Sequence, residues 1–506
     1  MKKAFQKFIH YFDAIDLTKG NITKGILRFL GPIVLSLLFQ QIYTLVDSMI
    51  VGQTLEEVDV AAVNNATNII FLVIDFAIGT MSGFSVVIGE LMGAKDEKGT
   101  RHCVINQIYL SLIITVLLTV GGILLIDPLL AVIGIAPSNV DLRANGVYQS
   151  ARTYLLIIFG GAITQVFYNH IVSTLRSLGD SFTPFVFLLA STILNIALDL
   201  LFIEVFRFGV AGAAFATILA QGLAAIGCYF YAYFHYPNLR PKKEDFKWNQ
   251  KLILSSLKNG LPMGFSFSVL AIGVIVMQSA IDRFDVTPEG MAVAGLPAEL
   301  GYGAGCKVIN FLMAPLNALG MAMISFHSQN LGAKDLERIK KGFKASFLIG
   351  FVLYLIVMTI GLLLTIDGAY QHFFLSKDKI TDASIRYGNT YINIAMPCFL
   401  FLMILFLLRN TLQGLEKTLP NFFSGVGELV SRVLICSFLP YLLNGLAPTS
   451  SASSTLAYAG ACLGDPIAWM VACLVMLYPC LKAIYSKKNA VYLLEKREES
   501  KKNQDL

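Results

Sequence analysis

Long apolar runs separated by short polar stretches recur along the whole chain. They fall near 26–54, 58–88, 104–126, 147–173, 184–206 and 209–234, and again near 252–282, 297–328, 343–366, 388–411, 418–443 and 455–484. Most are about 20 residues or longer, and at ~1.5 Å per residue such a helix crosses a hydrocarbon core ~30 Å thick. The pattern predicts an all-α membrane protein with twelve transmembrane helices. Between the sixth and seventh segments lies HYPNLRPKKEDFKWNQK, the longest polar linker. It divides the chain into an N-terminal segment (1–24), a first lobe (25–236), a linker (237–251), a second lobe (252–485) and a C-terminal tail (486–506).

The two lobes resemble each other residue by residue, at an offset of roughly 230–250 positions. MGAKDEKGTR (92–101) recurs as LGAKDLERIK (331–340), and TLRSLGDSFTPF (174–185) as TLQGLEKTLPNF (411–422). Pro32 answers Pro262, and GVAGAAFAT (209–217) answers AYAGACLGD (457–465). In both halves the odd-numbered segments start on the same side. The repeat is therefore parallel, predicting two pseudo-symmetric six-helix lobes about an axis along the membrane normal, with a cavity between them.

Composition agrees with this reading. Hydrophobic residues make up 56% of the 506 and charged residues only 14%, against about 25% charged in soluble domains. The net charge of +6 comes from Lys and Arg spread over the termini and the loops after even-numbered segments. No basic face is interleaved with aromatics, which argues against nucleic acid. The distribution instead places both termini in the cytoplasm and the protein in the plasma membrane. The N-terminus has neither a short apolar core nor a small-residue cleavage site, so no cleaved signal is expected. The eight cysteines lie mostly in apolar stretches and never in CxxC spacing, as packing residues do. GYGAG (301–305) sits in an apolar helix rather than after a strand, and no GxxxxGK[ST] loop occurs, so no nucleotide is expected. Nothing points to an enzyme or to a bound cofactor.

Ionisable groups inside an apolar helix are costly and mark function by default. In the first lobe these are Asp47 and Asp199, with Asn195 four residues before Asp199 and hence on the same helix face. Counted from the outer helix ends, Asp47, Asp199 and Thr217 each lie ~8 residues in, about 12 Å deep. Two carboxylates with amide and hydroxyl oxygens suit a hard monovalent cation such as Na⁺, or a shared proton. These four residues are the candidate coupling site. Asp75 has no assigned role.

Several of these features together are similar to the multidrug and toxic compound extrusion family, in the flavour of its DinF-like branch. They are Pro32, Asp47 and Gly52 in the first segment, the GAKD loop, TLRSLGDSFTPF, the Asn195/Asp199 pair and GVAGAAFAT, in order over residues 25–485. The resemblance implies a two-lobe secondary exporter, antiporting H⁺ or Na⁺ against drugs or toxic organic cations by alternating access. It also implies that Asp47, Asn195, Asp199 and Thr217 match the branch's N-lobe cation site. A single chain holding both lobes suffices as a monomer. The alternative on the same architecture is a lipid-linked sugar flippase, which would want a cavity lined with basic residues.

The second lobe departs from the first. Arg432 and Cys436 align with Asn195 and Asp199, and Met277 with Asp47, so a duplicated cation site is not expected. Three cations, Arg152, Lys307 and Arg432, lie within apolar segments. Lys307 and Asp465 share a depth and are expected to form a buried pair or touch substrate. Glu428 and Arg432, one turn apart, are expected to neutralise each other. Met277, Gln278, Tyr43 and Phe159 are candidate cavity contacts, and Gly79 and Gly83 suit close helix packing.

Overall fold

The structure is a computed structural model, describing residues 14–137, 141–287, 290–375, 379–444 and 455–486. Residues 1–13 of the expected N-terminal segment and 487–506 of the expected tail lie outside the described residues.

Among the described residues, fifteen α-helices carry the fold. In the first half these are α1 (Ile22–Thr54), α2 (Glu57–Gly93), α3 (Glu97–Val132), α4 (Leu142–Gly160), α5 (Ala162–Ser177), α6 (Phe182–Asp199) and α7 (Val210–His235). In the second they are α8 (Gln250–Asp282), α9 (Pro297–Gly332), α10 (Leu336–Leu364), α11 (Gln371–Phe374), α12 (Asp382–Gly414), α13 (Leu419–Asn444), α14 (Thr455–Cys462) and α15 (Gly464–Tyr485). Eleven spans are long and apolar enough to cross a membrane, with α14 and α15 together forming the last, and α4 with α5 makes a twelfth. The expected continuous fourth helix is in fact broken, bending by 48° between Gly160 and Ala162. Apolar residues continue through the break, so hydropathy does not register it. Two adjacent glycines weaken the helix there, and Thr119 Oγ1 donates to the Phe159 carbonyl at 2.9 Å.

The repeated sequences form matching corners. Lys95 and Lys334 both adopt left-handed conformations after α2 and α9 (φ 59° and 56°). Asp96 and Asp335 then cap α3 and α10, accepting from the Gly99 and Arg338 amides at 2.8 and 2.9 Å. In the second repeat, Gly179 (φ 90°) answers Glu416 (φ 58°).

Glycines set how closely the halves approach. A Cβ on Gly83 would lie 2.5 Å from the Asn259 carbonyl oxygen, and one on Gly264 would lie 2.8 Å from that of Phe76. Hence α2 and α8 meet backbone to backbone along two small-xxx-small faces. At the terminus-bearing end the repeat glycines close on each other's helices. A Cβ on Gly93 would strike Gln329 O, and one on Gly332 would strike Glu90 O, each at 1.8 Å. Hydrogen bonds joining the halves at or toward this end include Gln413 to Ser82 (2.8 Å) and Gln107 to Ser256 (3.0 Å), while Ser268 Oγ donates to the Leu72 carbonyl (3.0 Å) nearer the middle of α2 and α8.

Both connecting segments are docked rather than loose. The linker is held to α3 by Arg101–Asp245 (3.1 Å) and by Asn249 N donating to Asn106 Oδ1 (2.9 Å). Residues 14–21 bridge the seam: Ile15 N donates to Gly179 O in the first half, and Arg338 from the second donates to the carbonyls of Leu17, Lys19 and Gly20.

Candidate functional site

The four first-lobe residues come together. α6 presents Asn195 and Asp199 on one buried face, 2% and 0% exposed, and turns π-helical at Leu200–Val205 immediately after Asp199. Such π segments recur at functional sites. With its amide nitrogen turned toward the acceptors, Asn195 donates to Asp199 Oδ2 (3.0 Å) and to the Tyr43 hydroxyl (3.2 Å), and accepts from the Thr217 amide (3.2 Å). The carboxyl of Asp47, half-buried on α1, lies within hydrogen-bonding reach of that of Asp199. Asp199 Oδ1 has no N–H or O–H donor among the described residues. Thr217 Oγ1 donates to Ala213 O at 3.1 Å.

Two tyrosines complete the cluster. Tyr43, a turn before Asp47, reaches both Asn195 and Thr217, and Tyr154 of α4 stands near both carboxyls. Tyr154 escaped the sequence reading, although the repeat carried a signal for it: RTY (152–154) answers NTY (389–391).

The cluster forms one wall of a cavity of about 300 Å³ inside the first lobe. Asp47, Asn195 and Thr217 face it, as does Asp75, which sequence left unassigned. Apolar residues such as Ile70, Phe71 and Leu188 and neutral polar groups such as Gln165 and Asn169 line the rest, with no Lys or Arg among the described residues.

In the second lobe the same positions hold different chemistry. Met277 and Cys436 stand where Asp47 and Asp199 do, with Sγ and Sδ 3.4 Å apart. Arg432 and Asp465 replace Asn195 and Thr217 and form an ion pair at 2.8 Å. Tyr391, the counterpart of Tyr154, donates to Asp465 at 2.9 Å. Gly273 replaces Tyr43, and a Cβ there would lie 2.8 Å from the Arg432 guanidinium. The small residue makes room for the large cation.

Three expectations need correction. Lys307 does not pair with Asp465, because Arg432 is already there; Lys307 instead lies over the Phe374 ring at 5.7 Å. Glu428 does contact Arg432, at 3.8 Å, but its nearest partner is the buried Arg409, which the sequence reading did not single out. Met277 and Phe159 are 1% and 0% exposed and do not line the first-lobe cavity, while Gln278 donates to Asp282 at 2.7 Å. Arg152 pairs with Asp127 at 3.0 Å, and His170 meets the Tyr229 hydroxyl at 2.7 Å, both structural roles. The cysteines are all free.

Two parallel helical bundles around intramembrane polar clusters define a polytopic transporter-type membrane protein. The MatE family model matches residues 32–201 and 298–438. The "Probable multidrug resistance protein YpnP" of Bacillus subtilis is 30% identical over 328 residues, 64% of this chain and 69% of that protein. A "FAD transporter" of Shewanella oneidensis is 22% identical over 86% of this chain and 91% of its own length. The fold matches the structure described as "Outward-facing conformation of a multidrug resistance MATE family transporter of the MOP superfamily". That match has a TM-score of 0.78 and 21% identity, and covers 93% of this chain and 98% of that one. The chain belongs to the multidrug and toxic compound extrusion (MATE) family of transporters.

Proposed function

We propose that the chain is a proton-driven exporter of organic cations, with Asp47 and Asp199 as the coupling pair. One observation carries this: Asp47 both lines the first-lobe cavity and reaches the fully buried carboxyl of Asp199. Two carboxylates at that separation need a positive charge between them. A proton shared between the two carboxyls would supply that charge and would satisfy Asp199 Oδ1, which has no donor among the described residues.

The cavity's acids, Asp47 and Asp75, with no lining Lys or Arg, favour cationic substrates and disfavour a pyrophosphate-linked sugar. A drug cation held at Asp47 and a proton held between Asp47 and Asp199 compete for one carboxylate. Proton entry therefore expels the drug, and coupling arises because the two ligands favour different states. On the positive-inside reading the terminus-bearing face is cytoplasmic, so the closed seam there makes this an outward-open form in the plasma membrane. One chain suffices, and no covalent bond is made or broken.

Ethidium efflux from cells lacking other pumps tests the reading. A pH gradient should drive efflux and a sodium gradient should not; Asp199→Asn should abolish it at normal expression. Full pH-driven efflux by that variant, or efflux driven by sodium alone, overturns the assignment.

A further inference from the structure

Far from the coupling site, at the terminus-bearing end of the second half, a cleft of about 790 Å³ opens between α8, the start of α13 and the end of α15. Its walls are apolar, with Leu257, Leu261 and Pro479 among them, and Leu254 and Leu419 on its flank are 64% and 59% exposed. Residues so exposed on a spanning bundle face acyl chains. At the mouth stand Lys258, Lys417 and Lys482. All three are exposed, and none is within ion-pairing distance of a carboxylate among the described residues.

One acid, Glu416, shares the mouth. Burial, and then the Glu90 carboxyl facing it from α2, raise its pKa to about 8 against the pull of Lys258 and Lys417. Glu416 therefore cancels little of the basic charge near neutral pH. An apolar slot crowned by three cations at the headgroup level matches the two ends of one molecule, because basic pockets between spanning helices bind anionic headgroups.

We propose that this cleft is a binding site for an anionic phospholipid, whose phosphate is held by Lys258, Lys417 and Lys482 and whose acyl chain lies along Leu257, Leu261 and Pro479. The site adjoins the closed seam. A second cleft of about 380 Å³ shares Lys258, Glu416 and Lys417 and reaches Glu90, one helical turn before the Gly93 contact. A bound lipid would thus sit against the part of the second lobe that meets the first.

Native mass spectrometry of the full chain in detergent tests this with phosphatidylglycerol, phosphatidylcholine and inorganic phosphate as probes. The readout is independent of transport, so it stands or falls apart from the coupling mechanism. Phosphatidylglycerol should be retained over phosphatidylcholine. The triple variant K258Q/K417Q/K482Q should weaken its binding about 100-fold, roughly five-fold per lysine. The triple Lys→Arg variant should keep it, which guards against a Gln variant that misfolds. Equal retention of the two lipids, or undiminished phosphatidylglycerol binding by a folded Gln variant, overturns the site. Full displacement of the lipid by millimolar inorganic phosphate overturns the lipid assignment.

Discussion

The two lobes place five corresponding positions in the same spatial arrangement and use them differently. In the first, Asp47, Asp199, Asn195, Thr217 and Tyr43 form a polar cluster whose two carboxyls face each other from α1 and α6, with Asp47 opening onto a cavity. In the second, Met277, Cys436, Arg432, Asp465 and Gly273 form a packed thioether–thiol contact beside a closed ion pair. Arg409 and Glu428 extend that pair into a buried network of balanced charge. The second arrangement fixes its charges in mutual pairs; the first brings two carboxyls together with no cationic side chain between them among the described residues, which on the proposed mechanism leaves room for a mobile ion. A duplicated scaffold can thus hold one moving part and one anchor.

The sharpest way to break this comparison is to neutralise the acids. Asp47→Asn and Asp199→Asn should each reduce pH-driven dye efflux to the level of cells without the protein. The corresponding second-lobe changes, Met277→Leu and Cys436→Ala, should leave efflux largely intact, the first being a near-isosteric apolar swap costing under ~1.5 kcal/mol and the second removing only a small sulfur. If the second-lobe pair proves as sensitive as the first, the division of labour proposed above is wrong.

Next in size is stability. Arg432→Met strands Asp465 in the second lobe and should destabilise the protein by about 3–5 kcal/mol, seen as a lower unfolding temperature in detergent. Arg432→Met with Asp465→Leu should recover most of that, because removing both partners leaves no buried charge unpaired. Asn195→Leu, its first-lobe counterpart, should cost less stability but more transport.

At the seam the lobes should instead behave alike. Gly93→Val and Gly332→Val each force a side chain into the opposing backbone, so both should open the terminus-bearing face to a similar extent. Labelling of a cysteine placed at Ser328, buried in this seam, by an impermeant maleimide from that face should rise comparably in the two variants. Unequal responses would show that the seam is not symmetric in energy. The smallest effects belong to the paired tyrosines: Tyr391→Phe removes one hydrogen bond to Asp465, costing about 1 kcal/mol. Tyr154→Phe should alter the pH dependence of efflux more than stability.

Much of this architecture was legible in the chain. The spans agree with the apolar runs to within a few residues at most ends, apart from longer extensions such as those of α3 and α10, and the repeated GAKD and TLxxL segments form the matching corners. The Asn195/Asp199 pairing followed from their four-residue spacing. The failures share a cause. Lys307 and Asp465 were expected to meet because they lie at equal depth, yet depth says nothing about which way a helix is turned. Arg409, two residues from the end of the 388–411 run, was not singled out because only the packed fold turns it onto Glu428. The break at Gly160 left no trace because a bend need not change polarity.

By itself, then, the sequence determined that the bilayer is this protein's solvent, how many times the chain crosses it, that it does so as two related halves, and how deep each polar group lies. Those are properties of position along a helix axis, and transfer free energy reads them directly. The tertiary structure alone decided rotation about each axis: that Asp47 turns toward Asp199, that Arg432 rather than Lys307 takes Asp465, and that Gly93 and Gly332 seal one end. Rotation is set by how small residues let backbones approach and by which buried donors find acceptors, and those contacts exist only once the helices have packed.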